Sequence, residues 1–232
     1  MNPERPLVRP TRIYLPSQEY AAKVAVVPKG TVPAGYRQNL EATNPYSFEL
    51  VMRDIIDCEG SDCDGDGDEL ATPVGRARLD IMISRGIYEY HSEPAYYVYR
   101  VSDGLRTQTG IVAEVEAAAY DRGLIKKHEH TKTDSEANLV EALKRMQANS
   151  YPMCMTYRHA GINALIDRLT SAEPLLDFLG QDGVHQSVWI VREDDDIAEL
   201  EHCLHTIEAL YITDGHHRAA AGAALARENA CL

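Results

Sequence analysis

The sequence has no long hydrophobic run: none approaches the roughly 18 consecutive apolar residues of a membrane-spanning helix. The apolar stretch 21–27 is short and contains Lys23, so the amino terminus shows no signal-peptide pattern. The five cysteines are odd in number and scattered, without a CxxC pair typical of zinc sites or a dense disulfide framework. These absences predict a soluble, cytoplasmic protein with reduced thiols and no membrane partner.

Positive charge is also scarce. The chain has 23 Lys and Arg residues against 36 Asp and Glu residues, a net charge of −13. A general nucleic-acid binder needs a basic face for phosphates, so we expect no nucleic-acid partner. A small phosphorylated ligand stays possible, because a local basic pocket or a magnesium ion can reverse the field at one site. With 232 residues, 44% of them hydrophobic, the chain can bury a core, and we expect a single α+β domain over residues 1–232.

Strand-like and helix-like patterns are mixed along the chain without strict alternation. This favours an α+β fold with a mixed sheet and helices over a regular parallel α/β fold. A polar turn is predicted around Asp103-Gly104, and Thr133 with Glu136 predicts a capping box at a helix start. The predicted strands are 22–27, 96–101, 110–115, 153–157, 187–191 and 210–213. The predicted helices are 73–85, 133–146, 162–169 and 215–228, with a further helix that follows the acidic segment 193–196 and continues to about residue 207.

Residues 57–72 are rich in aspartate, glutamate and glycine. The spacing of Asp62, Asp64, Asp66 and Gly67 is similar to the start of an EF-hand loop. However, the bidentate glutamate of loop position 12 would fall on Pro73, so the calcium pattern is incomplete. A mobile acidic surface loop is the favoured interpretation.

The most informative motif is the polar pentapeptide Asp214-Gly215-His216-His217-Arg218. It follows the apolar run 210–212 and opens an alanine-rich stretch, so it predicts a strand, a glycine hinge and the first turn of a helix. Unpaired backbone N–H groups and the positive end of the macrodipole make a helix start a natural anion site. Arg218 and one or both histidines should face a phosphate, while Asp214 could hold a metal ion or cap the helix. An ordinary polar helix cap is the alternative.

A second polar cluster lies upstream, at residues 126–131. Glu129 follows a predicted β segment and could act as a general base or bind magnesium; a solvated loop glutamate is the alternative. His128 and His130 flank it, and on a strand both would point away from Glu129. This favours a structural role for them over metal ligation. Thr131 could turn the chain or donate its hydroxyl to a phosphate.

Taken in order, these segments resemble a known family. His128-Glu129 followed by the pentapeptide is similar to the archaeal ADP-dependent free serine kinase, and the chain also looks like a larger uncharacterised prokaryotic family related to that kinase. The segments that carry the second resemblance are Asn44-Pro45-Tyr46-Ser47-Phe48, the strand Gly110 to Ala113, His128 to Thr131, and the pentapeptide. The similarity covers roughly residues 40–220 for the uncharacterised family and the two short motifs for the kinase.

The resemblance implies a ParB/sulfiredoxin-like core, Glu129 as the base, and a phosphate clamp that includes His128, Thr131 and the pentapeptide. The expected function is a magnesium-dependent small-molecule kinase, serine-kinase-like, with ADP or ATP as donor. The alternative is a non-catalytic nucleotide-binding regulatory module of the ParB-like class. Glu129 and Gly215 should then border one cleft.

The chain departs from the family pattern in two ways. The Asp-Arg pair usual after the threonine is missing, because residues 134–137 contain no arginine. Family members also often continue past the pentapeptide helix, so a chain ending at Leu232 suggests a shortened or truncated protein.

Overall fold

The computed structural model describes residues 6–27, 39–52, 74–150, 152–159 and 161–230. The fold is mixed α/β, with helices and mixed sheets. The predicted acidic loop at residues 57–72, with its calcium-like spacing, lies outside the described residues. The strands are β1 (Val8–Arg9), β2 (Thr11–Pro16), β3 (Tyr88–Ser102), β4 (Thr107–Val112), β5 (Glu114–Val115), β6 (Ile125–Lys126), β7 (Cys154–Thr156), β8 (Leu176–Leu179), β9 (His185–Val191) and β10 (Leu210–Asp214). The helices are α1 (Ala21–Val24), α2 (Leu40–Thr43), α3 (Val74–Ser84), α4 (Ala118–Asp121), α5 (Thr133–Met146), α6 (Ile162–Leu169), α7 (Asp194–His205) and α8 (His216–Ala230).

The largest sheet is antiparallel and is organised by the long strand β3. The first half of β3 pairs with β2, and its second half lies between β4 and β9, with β8 beyond β9. Tyr96, Tyr97 and Val98, at the middle of β3, are almost completely buried. Tyr96 and Val98 face the core that α6 and α7 cover, whereas Tyr97 faces α1 and β8. The centre of β3 therefore contributes to two hydrophobic layers.

A smaller three-stranded sheet, in the order β6-β10-β7, positions the polar motifs. Strand β10 runs parallel to β6 and antiparallel to β7. Because β6 and β10 are parallel neighbours, the loop after β6 and the helix after β10 start at the same edge of the sheet. Ala219 of α8 packs against Ile125 and Ile212, which fixes the first turns of the helix on this sheet.

The alanines of α8 allow close packing on two sides of the helix. Ala219, Ala220, Ala221 and Ala223 are all buried. Ala221 packs with α3 and α5 in a second core that includes Leu139 and Val140. Small side chains let the helix approach both the sheet and the neighbouring helices.

Most predicted elements are confirmed, with small changes in their bounds. Helix α6 is found at the predicted residues, and β3 with β4 forms the predicted hairpin. Its turn is stabilised by Asp103, whose carboxylate accepts hydrogen bonds from the backbone N–H groups of Leu105 and Arg106. These donors hold the pKa of Asp103 below its usual value. No helix in the described ranges is long and apolar enough to cross a membrane.

Two local predictions are wrong. The segment predicted as a strand at 22–27 contains the helical turn α1 instead, because Ala21 and Val24 bury on the same side of that turn against two cores. The capping box is also absent: α5 already includes Thr133, with Lys132 at the N-cap and no side-chain cap. Glu136 accepts a hydrogen bond from the hydroxyl of Thr131, which lies two residues before the predicted partner Thr133.

Candidate functional site

Gly215 makes the sharp connection between β10 and α8. Its φ of +97° lies in the region that residues with a Cβ rarely adopt. An added Cβ would also lie 2.9 Å from the Arg218 Cζ atom. The Gly215 carbonyl accepts the hydrogen bond from the Ala219 N–H at 2.9 Å, which starts the helical ladder. The chain therefore turns at Gly215 and presents the first N–H groups of α8 toward the sheet edge.

Arg218 and Asp214 form an ion pair across this turn. The Arg218 Nη2 donates to Asp214 Oδ2 at 2.7 Å, and Nη1 donates to the Pro152 carbonyl at 2.6 Å. The Arg218 side chain is only 11% exposed, whereas that of Asp214 is 73% exposed. The guanidinium is thus fixed at the helix start. The partner of Asp214 here is a cation, not a further carboxylate that could share a metal ion with it.

His216 is the buried member of the motif. Its side chain is 4% exposed, and its Nδ1 lies 2.8 Å from Glu129 Oε1. The structure therefore brings Glu129 and the start of α8 together, as the sequence predicts, although 86 positions separate Glu129 and Gly215. Within the described part of the chain, the His216 Nε2 atom has no hydrogen-bond partner. A buried polar atom without a partner is costly, so this nitrogen is a candidate for binding a ligand.

The loop after β6 contacts α8 through a second histidine. The backbone N–H of Lys132 donates to His217 Nε2 at 3.2 Å. Thr131 lies between these contacts, but its hydroxyl donates to Glu136 of α5. His216 thus contacts Glu129 at one end of the segment 129–132, and His217 contacts Lys132 at the other. The Thr131 hydroxyl is directed toward α5.

His128 also faces the helix start, contrary to the orientation inferred from the sequence. Its ring packs edge-to-face on the His216 ring, with centroids 4.3 Å apart. Strand β6 ends at Lys126 and residues 128–129 form a bend, so the alternation expected of a strand does not apply. His128, Glu129 and His216 each offer one ligand atom, and these atoms lie within 4.8 Å of one another. Sequence reasoning missed this grouping because it treated the segment as extended.

Lys127, a basic residue of the same loop, is directed toward α4. The Lys127 ammonium lies 3.2 Å from the Tyr120 hydroxyl and 4.4 Å from the centre of its ring. Lys127 therefore contacts α4, and the cation at the helix start is Arg218.

A small pocket adjoins the helix start on the side of α5. It has a volume of about 60 Å³. Apolar side chains of α5 form one wall, and Arg218 of α8 forms part of the other. Its lining includes Leu139, Leu143, Asn149, Ser150, Met153 and Gly222. No sequence motif indicated this pocket, because its walls come from two helices and an intervening loop.

Comparison with known proteins identifies a family. The profile of the family described as "Protein of unknown function (DUF1015)" matches residues 8–230. No curated protein and no solved structure matches the chain significantly. The match includes both polar motifs and nearly the whole sequence. The chain therefore belongs to the DUF1015 family.

Proposed function

We propose that this protein is a nucleotide-dependent phosphotransferase that acts on a small hydroxylated metabolite, in the manner of a free serine kinase. The observation that carries the proposal is the 2.8 Å contact between Glu129 Oε1 and His216 Nδ1. It puts a candidate general base directly beside a helix start suited to phosphate. Phosphoryl transfer depends mainly on positioning and on neutralising charge, and both groups serve these ends.

The start of α8 would bind the phosphates of the donor. The helix N–H groups and the macrodipole favour an anion there, and Gly215 lets the ligand approach the backbone closely. Arg218 adds a fixed positive charge, since Asp214 and the Pro152 carbonyl already orient its guanidinium. His217 lies in the same turn and holds the Lys132 backbone. The mainly apolar pocket between α5 and α8, which Arg218 also lines, would receive the nucleoside.

Glu129 would act on the acceptor. Its side chain is 53% exposed, so it can meet a substrate hydroxyl, while buried His216 fixes its orientation. The carboxylate takes the hydroxyl proton as the acceptor oxygen bonds to the terminal phosphorus of the nucleotide. The bond from that phosphorus to the bridging oxygen breaks, and the nucleotide leaves with one phosphate fewer. Magnesium enters with the donor, as the magnesium complex of ADP or ATP.

We also propose that the α+β core has the ParB/sulfiredoxin-like fold. The arrangement of parallel β6 and β10, both ending beside a helix start, supports this assignment. This layout suits a nucleotide phosphate at the sheet edge.

A second candidate is a nucleotide-binding regulatory module without turnover. It is favoured by one observation: the main polar groups already pair with each other, Glu129 with His216 and Arg218 with Asp214. A ligand-binding switch could exchange these pairs without any chemistry.

Calorimetric titration with ADP and with ATP, followed by ³¹P NMR of each nucleotide with serine and other hydroxylated metabolites, tests the proposal. Binding with transfer supports the kinase, and binding alone supports the regulatory module. If the protein neither binds a nucleotide nor transfers phosphate, both candidate functions are refuted.

A further inference from the structure

We propose that His128, Glu129 and His216 form a binding site for a resident divalent transition-metal ion of the zinc type. Their ligand atoms lie within 4.8 Å of one another. The inference concerns metal binding alone, so it can be tested whether or not the protein transfers phosphate. A carboxylate that binds the ion through one oxygen would keep its second oxygen for the base role proposed for Glu129.

The shape of the cluster suits an ion. Zinc binds imidazole nitrogen and carboxylate oxygen at about 2.0–2.2 Å, so two ligands on one ion lie at most about 4.2–4.4 Å apart. The present bound of 4.8 Å is slightly beyond that maximum, so the ligand atoms must move inward to share one ion. His128 and Glu129 are exposed and can rotate, whereas His216 is buried and provides a fixed anchor. A small rotation of the two exposed side chains brings all three groups onto one ion.

The burial of His216 is an independent argument. This imidazole meets a carboxylate at Nδ1, while its Nε2 has no hydrogen-bond partner within the described ranges. A histidine binds a metal ion through a nitrogen lone pair that lies in the plane of the ring, and His216 Nδ1 is already directed at the Glu129 carboxylate. Because His216 is buried, this nitrogen is held in place for an ion that enters between it and the carboxylate. The edge-to-face packing of His128 adds a second imidazole at the same place.

The donor set does not fit magnesium as a resident ion. Magnesium prefers oxygen ligands in octahedral geometry, whereas imidazole suits zinc and its neighbours in the first transition row. Asp214, which the sequence predicts to hold a metal ion or cap the helix, is not part of this group and pairs with Arg218 at 2.7 Å. Two nitrogens and one carboxylate oxygen thus indicate a transition metal here. Three protein ligands also leave a coordination position for water or substrate.

His130 provides a matched control. It lies in the same loop, is exposed, and has the same side chain as His128, yet it is not part of the cluster. Replacing either residue with alanine removes one exposed imidazole. Because His128 is exposed, His128→Ala should fold normally, which circular dichroism checks.

The test uses the full chain, stripped of metal and then titrated with Zn²⁺, Mg²⁺ and Co²⁺. We expect one Zn²⁺ per chain by calorimetry and elemental analysis, and much weaker binding of Mg²⁺. His128→Ala and Glu129→Gln should each weaken Zn²⁺ binding by at least about 10-fold, since even the groups that only orient metal ligands contribute 10–100-fold. His130→Ala should match the wild type. The Co²⁺ form should show visible bands that His128→Ala removes.

Three results would overturn the proposal. One is the absence of stoichiometric Zn²⁺ binding. Another is an equal loss of affinity in His128→Ala and His130→Ala. The third is an intense thiolate-to-cobalt charge-transfer band, which would assign the ion to cysteines such as the exposed Cys154.

Discussion

Replacing Gly215 with alanine should destabilise the protein, although alanine is the better helix former. At a φ of +97°, a residue with a Cβ carries backbone strain of about 1–3 kcal/mol. The new Cβ would also lie 2.9 Å from Arg218 Cζ and push the guanidinium away from Asp214 and Pro152. Weakening one such hydrogen bond costs about 1 kcal/mol. The lower entropy of the unfolded alanine chain offsets about 0.4–1 kcal/mol.

The net expectation for Gly215→Ala is a loss of about 1–3 kcal/mol in the free energy of unfolding. Gly222 is the matched control, because it lies in α8 itself and an added Cβ there would meet nothing within 4 Å. Gly222→Ala should therefore stabilise the protein by about 0.5–1 kcal/mol. Urea unfolding followed by circular dichroism, with linear extrapolation to water, measures both. Equal effects of the two substitutions, or a gain in stability at Gly215, would refute the account of the turn.

Three further predictions concern the helix start, its pocket and one surface carboxylate. Arg218→Ala should weaken nucleotide binding by about 1.5–3 kcal/mol in calorimetry, and unchanged affinity in a folded variant would make Arg218 a packing residue. Gly222→Leu should fill the adjoining pocket and lower nucleotide affinity, in contrast to Gly222→Ala; equal affinities would place the nucleoside elsewhere. The hydrogen bond from the Ser187 hydroxyl, and to a smaller extent the one from His185, hold the pKa of Asp177 below its usual value. The stability from Asp177 is therefore present above its unfolded pKa and lost as pH falls through the folded one. Urea midpoints from about pH 5 to pH 3 should fall less steeply in Asp177→Asn, and identical slopes would contradict this.

Much of the site could be predicted because its signals are local. An apolar run, a glycine, a polar turn and an alanine-rich stretch specify strand β10, the Gly215 turn and helix α8 from neighbouring residues alone. Helix α6 was predictable for the same reason, since its buried residues follow helical spacing. The approach of Glu129 to Gly215 could be inferred only from the chemistry that the two motifs share.

The parts that sequence reasoning missed depend on tertiary contacts. The segment 22–27 has an apolar run compatible with either a strand or a helix, and packing against two cores decides for the helical turn. The orientation of His128 depends on the bend that ends β6 after two residues, which no periodicity reveals. The capping box failed by a single position, because α5 already includes Thr133.

The central claim is that Glu129 acts on an acceptor beside a nucleotide bound at the start of α8. The most direct test is the kcat of Glu129→Gln for phosphate transfer to serine, at saturating nucleotide and saturating metal, followed by ³¹P NMR. Glu173→Gln is the control, because Glu173 is an exposed glutamate in the loop between α6 and β8. The account predicts a loss of about 10²–10⁴-fold in kcat for Glu129→Gln and wild-type activity for Glu173→Gln. Full activity of Glu129→Gln, or no transfer by the wild-type protein to any hydroxylated amino acid or sugar with ADP or ATP, would contradict it.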